Sequence, residues 1–194
     1  MDLMTVAEFL PALALAIALA ASAGLRAWLP LLLAGGLARA GVLDLGESFR
    51  FLASDRALLL FAVATFIELV GDKVPAVDHA LDVIGTPLRP AAGALLAASV
   101  LGTVFDPLTA LVLGTAVGAP SALVPHALKS TLRAASTTFT GGLANPVLSV
   151  IEDVVSILTF ALAVVVPLLV VAALGLTVWL ILRWRRRRPA AAAA

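Results

Sequence analysis

Apolar residues in this chain fall into long blocks broken by short polar interruptions. Five blocks stand out: Val6–Ala21, Ala57–Val70, Ala91–Phe105, Leu108–Val124 and Val154–Leu182. Bilayer hydrocarbon is about 30 Å thick and takes about 20 helical residues to cross. The last block exceeds that length, and Pro167 is expected to kink it or divide it into two packed pieces. The others lie near the lower limit, so they extend into polar flanks and draw those charges toward the membrane. Asp106-Pro107 marks a turn between the third and fourth blocks. The pattern predicts an all-α fold, a polytopic transmembrane helix bundle in one domain over residues 1–182. An Arg-rich then Ala-rich tail, 183–194, follows it.

Two further apolar segments are too short to cross alone. Leu29–Ala38 contains Pro30 and Gly35-Gly36, and Ser136–Pro146 contains Gly141-Gly142 and Asn145-Pro146. Both suit re-entrant or broken helices, tolerated in lipid only where protein or water covers the exposed backbone. Two stretches are amphipathic. Leu45–Asp55 mixes Phe49, Phe51 and Leu52 with Glu47 and Arg50, while Pro75–Pro90 sets Val77, Leu81 and Ile84 against Asp78 and Asp82. Each is expected to lie as a surface helix sealing the bundle. A weak repeat is visible: Leu25-Arg26-Ala27 precedes Gly35-Gly36-Leu37-Ala38 much as Leu132-Arg133-Ala134 precedes Gly141-Gly142-Leu143-Ala144. If Arg26 and Arg133 lie near opposite membrane faces, the repeat is of the inverted kind found in transporters.

Composition supports the membrane reading. Of 194 residues, 62% are hydrophobic and 13% charged, against about 45–50% and about 25% in soluble domains. Polar residues are too few to cover such a chain in water. The absence of cysteine excludes disulfides and thiolate chemistry, and two histidines, His79 and His126, are too few for a conventional zinc site. Arg183 and Arg185–Arg188 directly follow the last block and predict a cytoplasmic C-terminus. Arg39, Arg50 and Arg56 after the first block, with Asp2 and Glu8 before it, place the N-terminus outside, with about five crossings. Those acidic residues also argue for an uncleaved first helix over a signal peptide.

Ionisable groups inside a bilayer are costly and point to function by default. Glu68 and Asp72 share one helix face, as do His126, Lys129 and Arg133. Ser149, Glu152, Ser156 and Thr159 form a third row with Asp153 beside it. The acidic and basic rows lie toward one membrane side and can meet. Water-filled space between them favours transport, whereas direct dry pairing favours a structural lock. The candidate solute- or ion-binding set is Arg26, Glu68, Asp72, Lys73, Asp78, His126, Lys129, Arg133, Asn145, Ser149, Glu152 and Asp153. No nucleophile elbow or phosphate loop is present, so no catalytic residues, cofactor or metal are assigned.

Several of these residues carry a family resemblance. They include Gly24-Leu25-Arg26-Ala27 with Pro30, then Glu68 with Asp72-Lys73-Val74-Pro75 and Asp78. Thr86-Pro87-Leu88-Arg89-Pro90 with Gly93, and His126 through Lys129 to Arg133, continue the series. Gly141-Gly142-Leu143, Asn145-Pro146, Ser149 and Glu152-Asp153 complete it. Over residues 10–170 the chain resembles the bacterial membrane-protein family catalogued as domain of unknown function 4126. The stretch after Pro167 departs from the resemblance. A compact multi-helix protein of the bacterial inner membrane is implied, without an activity. The expected function is a transporter or channel-like protein for an ion or small polar solute; the alternative is a non-transporting scaffold or partner-binding subunit. Expected partners are membrane lipid and that solute, with a homo-oligomer open and nucleic acid excluded.

Overall fold

A computed structural model describes residues 3–73 and 75–187, with side chains described at most of these positions and not at 3–7, 75–76, 78–80, 82, 167–175, 177–178, 181–182 or 184–187. The described residues form six α-helices: α1 (Leu3–Leu25), α2 (Trp28–Arg39), α3 (Asp55–Gly71), α4 (Pro75–Leu101), α5 (Pro107–Thr140) and α6 (Asn145–Arg187). A short 3-10 helix, Glu47–Ala53, joins α2 to α3. Among the described residues, four helices are long and apolar enough to cross a membrane: Glu8–Leu25, Val83–Leu101, Pro107–Thr140 and Asn145–Val166. The protein is a multi-pass membrane protein. The fifth expected crossing, Ala57–Val70, falls in α3, a helix of 17 residues and about 25 Å at 1.5 Å per residue.

Helix boundaries follow local chemistry. The Ser54 hydroxyl accepts from the Ala57 amide at 3.3 Å and opens α3. The Asp106 carboxylate accepts from the amides of Leu108 and Thr109 at 3.1 Å each, and Pro107 follows where its missing N–H is harmless. Gly141, at φ 61°, ends α5 in the left-handed conformation and turns the chain into α6.

α1 lies against α4, α5 and α6. Its inner face is small: Ala16, Ala20 and Ala23 are fully buried around Leu19. At Gly24 a Cβ would overlap the Ala122 carbonyl of α5, so the two backbones approach as closely as hydrogen permits. Gly93 and Gly118 bring α4 and α5 together in the same way. Small residues thus replace hydrophobic driving force, which lipid does not supply between helices.

Several expectations change. Residues 75–101 form one helix through Pro87 and Pro90 rather than a surface helix followed by a span. α6 is continuous through position 167 rather than divided there. Residues 136–146 form no short helix of their own; they are the end of α5, a turn and the start of α6. The 12-residue α2, in contrast, matches the first short segment.

The first topology also needs correction. Phe9 packs edge-on against Phe105, with ring centroids 5.6 Å apart, and the Gly46 amide donates to the Ser99 carbonyl at 2.8 Å. The start of α1, the 42–49 segment and the α4–α5 turn therefore share one end of the bundle. Residues 39–56 do not lie across the membrane from the N-terminus, because α2 carries the chain back. The tail beyond Arg187, including Arg188, lies outside the described residues.

Candidate functional site

The site forms at the other end of α1. The helix stops at Leu25, and Arg26 and Ala27 lead into α2. That reversal exposes two backbone amides at the start of α2. The Glu68 carboxylate on α3 meets both, accepting from Ala27 N at 3.1 Å and Trp28 N at 3.3 Å. A carboxylate here also faces the positive end of the α2 dipole.

Arg26 is completely buried. Its Nη1 forms an ion pair with Asp72, at the end of α3. Its Nη2 donates to the Ser149 carbonyl at 3.1 Å and hydroxyl at 2.9 Å, and lies 2.6 Å from Asp153 Oδ1. The guanidinium thereby ties the α1–α2 break to both α3 and α6.

The basic row on α5 completes the cluster. Lys129 Nζ lies 3.0 Å from Glu152 Oε2 and 3.4 Å from Asp72 Oδ2. Arg133 grips Glu152 in bidentate fashion, Nε to Oε1 at 2.9 Å and Nη2 to Oε2 at 2.8 Å, and reaches Asp72 Oδ2 at 3.1 Å. One turn earlier, His126 Nδ1 is 3.1 Å from Arg89 Nη1, whose Nη2 lies 3.9 Å from Glu68 Oε1. At the rim, half-exposed Lys73 lies 3.6 Å from Asp153 Oδ2.

Charge sign is segregated by element. The buried cations Arg26, Arg89, Lys129 and Arg133 belong to α4, α5 and the end of α1, the helices packed through glycine. The carboxylates Glu68, Asp72, Glu152 and Asp153 belong to α3 and α6. Around them the outer faces are apolar: Phe66, Ile67 and Val70 on α3, Leu128 and Leu132 on α5, and Val150, Ile151 and Val154 on α6 are all exposed. The cluster therefore lies inside the apolar belt, where an unpaired charge is severely penalised. Two atoms of its core, Asp72 Oδ1 and Arg26 Nε, have no hydrogen-bond partner among the described residues.

A family model described as Domain of unknown function (DUF4126) matches residues 13–187. The chain belongs to that family. No curated protein and no solved structure matches it. The DUF4126 match reaches well past Pro167, so the continuation of α6 is part of the family pattern rather than a departure from it.

Most of the sequence-derived set converges in this DUF4126 chain: Arg26, Glu68, Asp72, His126, Lys129, Arg133, Ser149, Glu152 and Asp153 meet, and Lys73 stands at the edge. Asn145 does not join them; its Nδ2 donates to Thr137 Oγ1 at 3.3 Å in the α5–α6 turn. The Asp78 side chain lies outside the described residues. Ser156 donates to the Ser22 carbonyl at 3.1 Å and ties α6 to α1 instead of facing the charges. The support for an inverted repeat falls away, because Arg26 and Arg133 bind the same carboxylate rather than opposite membrane faces. Arg89 was not among the candidates. Its signal was present: an arginine between Pro87 and Pro90, followed at once by an apolar run, belongs to a helix that enters the membrane.

Proposed function

We propose that this protein moves an ion or a small polar solute across the membrane through a site built on the buried charge cluster. The observation that carries the reading is the meeting of four carboxylates and four cations inside an apolar belt, at the break between α1 and α2. Asp72 Oδ1 and Arg26 Nε also lack hydrogen-bond partners among the described residues, which leaves two polar atoms at the centre of the cluster for a solute to meet. In this reading α2 is a short helix, about 18 Å long, that begins at the cluster and returns toward the end where α1 started, so that the chain is broken beside the site.

The test is flux into sealed proteoliposomes across a panel of inorganic ions and small polar solutes. Glu68→Gln, Arg133→Ala and Glu152→Gln are expected to abolish whatever flux wild type supports. Absent flux, or flux indifferent to all three, removes the reading.

A second reading, a scaffold whose charges only lock the helices, is favoured by the direct pairing in the cluster. In addition, a largely apolar cavity of about 270 Å³ lies at the far end, among Pro11, Leu15, Val42, Leu43, Val100 and Val164. The scaffold predicts loss of stability without any flux, and a tightly bound protein that copurifies.

We further propose that the end bearing exposed Arg39, Arg50 and Arg56, past which α6 runs to Arg183, faces the cytoplasm of a bacterial inner membrane. The start of α1 then lies inside, and the cluster sits toward the outer half. Single cysteines at Ser48 and Thr138, in a chain without native ones, should be labelled by an impermeant maleimide from opposite sides. Labelling of both from one side overturns this orientation.

A further inference from the structure

We propose that the ion exchanged at this site is the proton, and that Lys129 is the group that carries it. The inference rests on the transport reading and names its ion. Of the four buried cations, three are arginines, whose guanidinium does not deprotonate in proteins. Lys129 alone can lose a proton, and its side chain has no solvent exposure. The arrangement around it suits exchange rather than storage. From α3, Asp72 Oδ2 is 3.4 Å from the ammonium, and from α6, Glu152 Oε2 is 3.0 Å away. Arg133 on α5 contacts both of those carboxylates, and Arg26, from the end of α1, contacts Asp72 and Asp153 and lies 3.7 Å from Glu152 Oε2.

This geometry lets Lys129 change charge without leaving the acids unsupported. In the transfer, one Nζ–H bond breaks and an O–H bond forms at Glu152 Oε2, so an ammonium and a carboxylate become an amine and a carboxylic acid. The acid then releases its proton to water on the side where Glu152 and Asp153 are partly exposed, Arg133 again holds a carboxylate, and a proton drawn from the opposite side re-forms the Nζ–H bond and restores the ammonium.

The neighbour one turn away is consistent with a site built for protons. An arginine N–H can only donate, so His126 Nδ1 must accept from Arg89 of α4 at 3.1 Å, and the ring's proton resides on Nε2. Protonating His126 would set two donors against each other and displace Arg89, which also lies 3.9 Å from Glu68. Uptake of a proton at His126 therefore couples to the group capping α2.

The test uses the full chain in liposomes loaded with potassium and the pH dye pyranine. Valinomycin makes the lumen negative and draws protons inward. Wild type is expected to acidify the lumen. Lys129→Arg keeps the charge but not the dissociable proton, and is expected to slow acidification by about a hundredfold while remaining monodisperse in detergent. Arg39→Gln, an exposed residue at the far end, is expected to match wild type. If Lys129→Arg does not fold, Lys129→Gln carries the same expectation. Wild-type rates in either folded variant overturn the proposal. So does a wild type that carries sodium or chloride without moving protons, an outcome that leaves the transport reading standing. A wild type that moves nothing overturns both.

Discussion

Replacing Arg26 with methionine removes the group that joins the α1–α2 break to α3 and α6, and its effect can be worked from the contacts. Four things are lost together: the ion pair to Asp72, the close approach to Asp153 at 2.6 Å, the longer one to Glu152 at 3.7 Å, and the donation to the Ser149 carbonyl and hydroxyl. Removing one partner of a buried ion pair costs about 3–5 kcal/mol, because the other charge is left buried. Asp72 retains Lys129 and Arg133, which moves the expectation to the lower end, about 3 kcal/mol. Among the described residues Asp153 keeps the rim contact to Lys73 at 3.6 Å. For a chain of this size the change corresponds to a melting temperature lower by about 6–12 °C. Thermal unfolding in detergent measures it, and Arg26→Lys, which cannot fork between Asp72 and Ser149, should recover less than half of the loss. A cycle with Asp72→Asn should show the two costs to be non-additive, with a coupling of about 0.5–3 kcal/mol. A shift for Arg26→Met within the range of solvated surface pairs, under about 1 kcal/mol, would refute the buried cluster as drawn.

Other expectations are more local. Glu68→Ala should speed hydrogen exchange at the Ala27 and Trp28 amides that it caps, and unchanged protection there would show that the start of α2 needs no anion. Gly24→Val should force α1 away from the Ala122 carbonyl and cost about 1–3 kcal/mol in thermal unfolding; a neutral result would mean the crossing is looser than described. Asp106 has its carboxyl held below its ordinary value of 3.8, chiefly by hydrogen bonds to Thr109. A lowered folded value means its contribution to stability is complete above the unfolded value and disappears as pH falls through the folded one. Wild type should therefore lose stability below about pH 4 more than Asp106→Asn, which still caps α5; parallel pH curves would contradict this.

The rows of charge were legible because helical periodicity is reliable in long apolar blocks. Glu68 and Asp72, and His126, Lys129 and Arg133, point inward as their spacing requires. The return of α2 was not legible. Nothing at Arg26 or Ala27 marks a break by composition, and the reversal depends on Glu68, distant in sequence, capping the freed amides. Arg89 was hidden by its two prolines, which read as a helix end. In α4 they are tolerated within one continuous helix, as neighbouring helices in a membrane allow. Topology suffered in turn. Reading Leu29–Ala38 as a detour rather than a return put Arg26 and Arg133 on different sides, where only a three-dimensional arrangement could bring them to one carboxylate.

The separation of charge sign between elements has a mechanical consequence. The glycine-packed trio behaves as a frame with positive sockets, and α3 and α6 are jaws that grip it at the cluster through their carboxylates, α6 being held to α1 farther along by Ser156 and the buried Phe160. Loss of the ion pairs that Asp72 and Glu152 make would slacken the jaws and leave the glycine packing intact. Swinging of α3 and α6 against a fixed α1–α4–α5 unit is then the motion that the architecture makes easiest.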